Sequence, residues 1–201
     1  MTHVFSYNVL CKLDRNGKET WATNVRLCLT QNGFGYVWIH QGVGNVKSFL
    51  NALKERLVDC KWQQVQAHIN ESDRFTFYSM IRPAERSMAC HISVNINRHL
   101  KGIFTKFRFG ISNINMHYFR YRNHTQNHLL CPYCRNVEES EIHFVLRCPL
   151  YDSIRKQYIK EKYYRSPNIF KLRILFCSTH EKTIEDLCRF LYIAFKMRET
   201  A

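Results

Sequence analysis

The sequence predicts a mainly α-helical fold built from short amphipathic helices. Apolar residues recur at helical spacing in several separate segments, and residues that favour helix N-termini precede many of these segments. The chain of 201 residues is 45% hydrophobic and 14% aromatic, which is typical of a globular protein with a hydrophobic core. We therefore expect one compact domain or two small ones.

One clear amphipathic helix lies in the first half of the chain. Asn45 is a suitable N-cap. The apolar residues that follow it at helical spacing are Val46, Phe49, Leu50, Leu53 and Leu57. Trp62, Val65 and Ile69 continue the pattern, and several short helices are the simplest interpretation of this part of the chain. Ser72 is a second cap, for a short helix, and Pro83 predicts a break after that helix. The apolar run between Thr20 and His40 is compatible with strands or with buried helical turns, and the sequence leaves both open.

Helical spacing returns in the second half of the chain. The apolar residues that predict one further helix are Met88, Ile92, Ile96 and Leu100. Ser166 and Pro167 suit the cap and the first residue of another helix. Thr183 or a neighbouring residue then opens a final amphipathic helix, whose basic C-terminal end suits the helix dipole.

The chain carries a large positive charge, with 30 lysines and arginines against 16 aspartates and glutamates and a formal net charge of +14. Such an excess repels itself, and a polyanion relieves the repulsion. No stretch has the apolar length of a signal peptide or of a membrane span. We therefore expect an intracellular protein, nuclear or cytoplasmic and not secreted, whose partner is nucleic acid and not a membrane.

The spacing of the cysteines predicts a metal site. Nine cysteines in a reducing compartment are poor disulfide candidates. A C-x₂-C-x₈-H-x₄-C pattern is formed by Cys131, Cys134, His143 and Cys148. The first spacing directs two sulfurs to one side of a turn, and three thiolates with one imidazole suit tetrahedral zinc. Because the protein fills all the ligand positions, we expect one structural Zn²⁺ in a small Cys3His zinc-binding unit embedded among the helices.

Local signals predict how the second half of this motif folds. Ser140 is a good N-cap and Glu141 suits a first helical turn, so His143 is expected near a helix start. Pro149 disfavours a helical conformation at Cys148 and can itself begin the next helix. Cys148 is therefore expected at a turn of the chain.

A basic stretch precedes the motif, because no Asp or Glu occurs from Arg86 to Val137. The candidate nucleic-acid-binding residues are Arg98, Lys101, Lys106, Arg108, Arg120, Arg122 and Arg135. The aromatic residues interleaved with them are Phe104, Phe107, Phe109, Tyr118, Phe119 and Tyr121. These rings can stack on unpaired bases or form a core, and both interpretations stay open. The charge predicts sequence-tolerant binding of RNA or single-stranded DNA.

Several short motifs stand in a recognisable order along this part of the chain. They are Phe107-Arg108-Phe109-Gly110, Arg120-Tyr121-Arg122, Cys131-Pro132-Tyr133-Cys134, Glu139-Ser140-Glu141-Ile142-His143-Phe144, and Cys148-Pro149-Leu150-Tyr151 with Arg155. In this order they resemble the C-terminal region of LINE-type (non-LTR) retrotransposon reverse transcriptases, in which a Cys/His zinc unit follows the polymerase domain. The resemblance extends from about Phe104 to Tyr158. It implies binding of template RNA or target DNA.

The resemblance and the charge pattern together predict three segments. Residues 1–85 form a helical region that resembles the linking region after the polymerase domain. Residues 86–165 form the basic segment with the zinc-binding unit. Residues 166–201 form C-terminal helices that pack on the rest.

Catalysis is not predicted. A polymerase needs paired aspartates to hold two metal ions, and every aspartate in this sequence is isolated: Asp14, Asp59, Asp73, Asp152 and Asp186. We therefore expect a non-enzymatic protein. One alternative is a zinc-stabilised protein-interaction module that binds no nucleic acid. A nuclease that uses His117, His124 or His128 is a second alternative, disfavoured because the basic stretch contains no carboxylate to orient a histidine.

Overall fold

A computed structural model of the chain describes residues 2–15, 20–40, 42–82, 89–122 and 129–200. The chain divides into two compact units, Met1–Val65 and Gln66–Ala201. This division differs from the predicted segments, because the second unit begins before residue 86 and contains both of the last two segments.

The described residues form helices and turns without a β-strand, so the predicted mainly α class is confirmed. The α-helices are α1 (Thr2–Arg15), α2 (Trp21–Gln31), α3 (Gly35–His40), α4 (Val46–Glu71), α5 (Thr76–Ile81), α6 (Cys90–Ser93), α7 (Arg98–Arg108), α8 (Asn115–Arg122), α9 (Asp152–Tyr158), α10 (Glu161–Tyr164), α11 (Ile169–Phe176) and α12 (Glu181–Thr200). Short 3₁₀ turns occur at Asp73–Phe75 and Pro149–Tyr151, and a π turn at His143–Arg147. None of the described helices combines the length and the apolarity needed to span a membrane.

The described part of the first unit consists of helices joined by turns, which resolves the ambiguity of residues 20–40 in favour of helix. The Thr20 side chain accepts a hydrogen bond from the Thr23 N–H and caps α2. Ala22 and Leu29 are the buried residues of this helix. The predicted cap of α4 is confirmed, because the Asn45 side chain accepts a hydrogen bond from the Ser48 N–H at 3.0 Å.

Two predicted helix boundaries in the second unit are wrong. The helix expected from Met88 to Leu100 is interrupted, because α6 ends at Ser93 and α7 begins only at Arg98. Asn97 competes with helix continuation by accepting a hydrogen bond from the His99 N–H at 2.8 Å, which caps α7. The helix expected at Ser166 and Pro167 begins instead at Ile169, with Asn168 as its cap.

Aromatic rings form the centre of the second unit's core. The Phe176 ring lies 5.3 Å from that of Phe77, 5.5 Å from that of Phe104 and 5.4 Å from that of Phe107, measured between centroids. α7 and α12 pack against each other around this cluster. Phe104 and Phe107 are therefore core residues, and base stacking is not their role in this fold.

Gly110 is required where the chain turns after α7. Its φ is +68°, and a Cβ at this position would lie 2.9 Å from the Arg74 carbonyl oxygen. Gly110→Ala is expected to lower the free energy of unfolding by about 1–3 kcal/mol, because it combines a left-handed backbone with a backbone clash. Urea denaturation measures the change.

Gly102→Ala is the matched control for this prediction. Gly102 lies inside α7 with open space around its Cα. Alanine there should raise the stability of the protein by up to about 1 kcal/mol, because alanine is the better helix former. Equal effects of the two substitutions would contradict the steric explanation for Gly110.

Candidate metal centre

The predicted ligands lie together in the second unit. The Sγ atom of Cys148 is 3.9 Å from that of Cys131 and 3.8 Å from that of Cys134. Together with a ring nitrogen of His143, the ligand atoms all lie within 4.8 Å of one another. Thiolates bound tetrahedrally at about 2.3 Å from a metal are themselves about 3.8 Å apart. These residues are therefore close enough to bind one metal ion.

The chemical state of the cluster also suits a metal ion. His143 is buried, and its Nε2 atom has no hydrogen-bond partner. Burial lowers the pKa of His143, which keeps the imidazole in the neutral form that binds metals. Burial raises the pKa of Cys148 to about 12, and the neighbouring thiols Cys131 and Cys134 add to the increase. A bound cation offsets this penalty, because it stabilises thiolates.

A hairpin-like turn positions the first two ligands. The Cys131 N–H donates to the Val137 carbonyl at 2.7 Å, which closes the base of the turn. The Arg135 N–H donates to the Cys131 carbonyl, and the Asn136 N–H donates to the Cys134 carbonyl, both at 2.8 Å. Arg135 has a φ of 59°, in the left-handed region that lets the chain reverse direction.

A capped helical turn positions the other two ligands, as predicted. The Ser140 hydroxyl accepts a hydrogen bond from the His143 N–H at 3.3 Å. The π turn that His143 begins ends with the Cys148 N–H donating to the His143 carbonyl at 2.7 Å. Pro149 then starts the next turn. Cys148 therefore lies where one helical turn ends and another begins.

Arg155 fixes the backbone around Cys148 from within the protein. Its side chain is buried, with Nη2 donating to the Cys148 carbonyl at 2.5 Å and Nε donating to the Val145 carbonyl at 2.9 Å. A carboxylate oxygen of Asp152 lies 3.4 Å from its Nη1. Arg155 is thus a positioning residue, which the sequence marked only as part of the family resemblance.

A buried carboxylate joins the hairpin to distant helices. Glu139 is 1% exposed and accepts hydrogen bonds from Arg198 Nε at 2.7 Å and Nη2 at 2.8 Å. The same carboxylate accepts the Asn115 N–H at the start of α8, also at 2.7 Å. Arg198 in α12 completes the cluster by donating to the Asn115 side chain at 3.0 Å. This arrangement was not predicted, because its members are far apart along the chain.

A second buried carboxylate lies beside the metal ligands. Glu141 forms an ion pair with Arg120 and lies 3.2 Å from His117 Nε2. Burial alone would raise the pKa of Glu141, but the hydrogen bond from His117 and the charge of Arg120 lower it to about 2. Burial lowers the pKa of His117, so this ring is neutral near pH 7, and its Nδ1 accepts the Ser112 N–H at 3.2 Å.

These contacts of His117 are relevant to the alternative hypothesis of a nuclease that uses a histidine. Glu141 lies beside His117 and provides the carboxylate that the basic stretch lacks. The two residues are 24 positions apart in the chain, so the sequence alone did not indicate this pairing. The His117 ring is 1% exposed and is hydrogen-bonded on both nitrogens, which makes it a packing and positioning residue. His124 and His128 lie outside the described residues.

The seven candidate phosphate-binding cations have different environments. Arg98, Lys106 and Arg135 are exposed. Lys101 donates from its Nζ atom to the backbone carbonyls of residues 92 and 94, at 2.9 Å and 2.8 Å. Arg120 is the ion-pair partner of Glu141 described above. Arg108 is buried. The side chain of Arg122 lies outside the described part of the structure.

The aromatic residues are also divided between core and surface. Phe109 stacks on Tyr78 with a centroid separation of 4.6 Å, so it too contributes to packing. Tyr118 is exposed and Phe119 is half-buried, and the side chain of Tyr121 lies outside the described part. Tyr133 is exposed at the tip of the hairpin-like turn that holds Cys131 and Cys134. This aromatic residue was not among the predicted stacking candidates.

Comparisons of the chain with protein-family models, with curated proteins and with solved structures find no match. The interpretation of the site therefore depends on its geometry and on the residue patterns described above.

Proposed function

We propose that this chain is a non-catalytic, zinc-stabilised module that binds RNA or single-stranded DNA. The observation that carries the proposal is the position of Tyr133 and Arg135. Both lie on the turn that holds Cys131 and Cys134, and both side chains are exposed. A metal ion bound at the base of this turn would hold an aromatic ring and a cation side by side at its tip.

The donor set favours zinc as the metal. Thiolates are soft ligands, and a tetrahedral combination of three thiolates and one imidazole is typical of structural zinc sites. The protein supplies all the ligands, so no coordination position is left for an activated water or a substrate atom. Three thiolates outweigh the two positive charges of zinc. The affinity for phosphates must therefore come from cations outside the cluster.

Exposed cations of the second unit provide that affinity. Arg98 and Lys106 lie on α7, and Arg135 lies on the hairpin itself. With a formal net charge of +14, the chain favours polyanions generally. The exposed ring of Tyr133 adds a surface on which an unpaired base can stack. The resemblance to retrotransposon reverse transcriptases is consistent with this proposal, since it implies binding of template RNA or target DNA.

Tyr133→Ala is expected to weaken binding of a single-stranded oligonucleotide by about five- to 100-fold, the effect of losing one stacked base. Fluorescence anisotropy of a labelled oligonucleotide measures the change. Tyr36→Ala is the matched control, because Tyr36 is about equally exposed but belongs to the first unit. Similar losses in both variants, or no loss in Tyr133→Ala, would count against the hairpin as the binding site.

Removing the charge of Arg135 tests the phosphate contact separately. Arg135→Asn is the suitable change, because asparagine tolerates the left-handed backbone at this position. The slope of log affinity against log salt concentration should become shallower by about 0.7, the value for one phosphate contact to a single strand. Wild-type binding that does not weaken between low and moderate salt would contradict phosphate contacts altogether.

A protein-interaction module is the second candidate function, and one feature of the first unit favours it. Val46, Leu50 and Leu57 share a face of α4 and are exposed. Such a face is able to bind an apolar surface of another protein. This alternative predicts a partner that stays bound after nuclease treatment and is lost in Leu50→Glu, together with no binding of oligonucleotides.

A further inference from the structure

The guanidinium of Arg108 is buried without a compensating charge among the described residues. Arg108 is 5% exposed, and its Nη1 and Nη2 atoms donate to the carbonyl oxygens of Phe176 at 2.7 Å and Ile81 at 3.3 Å. Its Nε atom is buried and has no hydrogen-bond partner among the described residues. Carbonyl groups are neutral, and the Phe104 ring that lies 5.7 Å from the guanidinium carries no net charge, so no described residue supplies a counter-charge. A buried charge without a counter-charge is costly.

His91 lines the same cavity and also carries a nitrogen without a partner among the described residues. Its ring is 6% exposed and lies 5.1 Å from the Phe104 ring, and its Nδ1 atom is buried without a partner. Burial and the nearby charges of Arg108 and Lys101 lower the pKa of His91 to about 4. The ring is therefore neutral near pH 7 and can place its one N–H on Nδ1.

The cavity has the size and the opening for one small group. Its volume is about 150 Å³, and Arg108, His91, Ser178 and Thr179 are among its lining residues. Pockets that enclose whole small molecules are larger, at roughly 300–1,000 Å³. Thr179 is exposed, so the cavity reaches the surface. A ligand can thus insert one group while the rest of the molecule stays outside.

We propose that this cavity binds a phosphate group, either as free phosphate or as the terminal phosphate of a nucleic acid strand. Arg108 supplies the positive charge. Arg108 Nε and His91 Nδ1 are closed to the cavity in the unliganded chain, and a rotation of the two side chains would bring both to the ligand as donors. The hydroxyls of Ser178 and Thr179 at the mouth are further donors. Donors from several directions suit a tetrahedral oxyanion, and charge-assisted hydrogen bonds to Arg are the strongest available to it. Binding of free phosphate is independent of the proposed function, whereas binding of the terminal phosphate of a strand rests on it.

Inorganic phosphate is the first probe, with sodium chloride at matched ionic strength as the reference. Phosphate is expected to raise the Tm of the full chain above the chloride value and to give a saturable isotherm in calorimetry. Arg108→Met should abolish both responses while keeping the fold, because it removes the unpaired charge and keeps the side-chain length. A wild-type chain that responds equally to phosphate and chloride would overturn the proposal.

Two further variants keep the test decisive if Arg108→Met does not fold. Thr179→Val changes an exposed mouth residue and should weaken phosphate binding several-fold without unfolding the protein. His91→Leu should weaken it by about tenfold or more, the effect of losing a hydrogen bond to a charged group. Lys160→Gln removes an exposed cation of the second unit that is not among the candidate phosphate-binding residues, and it should leave phosphate binding unchanged. Loss of the response in Lys160→Gln, with none in the cavity variants, would place the phosphate on the surface and refute the site.

Oligonucleotides with and without a terminal phosphate distinguish the two sources. Tighter binding of a strand phosphorylated at either end, lost in His91→Leu, supports the terminal-phosphate form. Equal binding of all strands, with a retained response to inorganic phosphate, supports the free-phosphate form. If no strand binds but inorganic phosphate does, the proposed nucleic-acid function fails and the phosphate site stands.

Discussion

Replacing Cys148 with serine is expected to abolish stoichiometric zinc binding and to unfold the chain locally around the hairpin. Cys148 is fully buried, and its Sγ atom lies within 4 Å of both other sulfurs. Apparent zinc-binding free energies in small zinc units are roughly 10–16 kcal/mol, which equals or exceeds the total stability of a typical domain. A site that loses one thiolate should lose most of this contribution.

Metal analysis and hydrogen exchange measure the two consequences of Cys148→Ser. The wild-type chain, purified without chelator, should hold about one equivalent of zinc, and the variant less than about half an equivalent. Amide protection between residues 129 and 151 should fall to a much lower level than protection in α12. A chelator applied to the wild-type chain should reproduce this pattern.

Cys188→Ala is the matched control for the loss of a buried cysteine. Cys188 is fully buried in α12 and lies outside the ligand cluster. Its truncation should reduce global stability through lost packing but leave the zinc content unchanged. Zinc retained in Cys148→Ser, or lost equally in Cys188→Ala, would show that the cluster is not the metal site.

Replacing Glu139 with methionine is expected to lower the free energy of unfolding by about 3–5 kcal/mol, the effect of leaving a buried partner charge unpaired. The affected partner is Arg198, whose side chain is only 18% exposed. The Asn115 N–H also loses its acceptor in this variant. Urea denaturation of the zinc-loaded protein measures the change.

A double-mutant cycle separates the ion pair from general damage to the fold. Arg198→Met alone should be strongly destabilising, because it leaves the Glu139 carboxylate buried without its cation. The double variant should lose only about 1–3 kcal/mol, the cost of the unsatisfied Asn115 N–H. Strictly additive effects would mean that Glu139 and Arg198 do not interact as the structure indicates.

The sequence predicted elements whose signals are local. Asn45 and Ser140 were identifiable as caps because the hydrogen bond that each accepts comes from an N–H three residues away. The predicted helix boundaries were wrong where two local signals competed. At Asn97 and Asn168, a side chain able to cap a new helix prevailed over the continuing apolar spacing and over the Ser-Pro pair.

The sequence predicted least well which residues form the surface proposed to bind nucleic acid. Composition identified an excess of cations but could not distinguish the exposed Arg98 from the buried Arg108, because both occur in the same acid-free stretch. Likewise, Phe107 and Tyr133 are both aromatic neighbours of basic residues, yet one lies in the core and the other is exposed. The packing of α7 against α5, α11 and α12 buries Arg108 and Phe107, and this packing is not visible in the sequence.

The sequence by itself determined the helical class and the candidate metal-binding residues, because helix periodicity and the Cys and His spacing each act within a few turns of the chain. The tertiary structure alone decided which charges are buried and paired. Glu139 with Arg198, and His117 with Glu141, are separated by 59 and 24 positions in the chain. Such pairs form only after the helices pack, since their energies depend on burial and on contacts between distant segments.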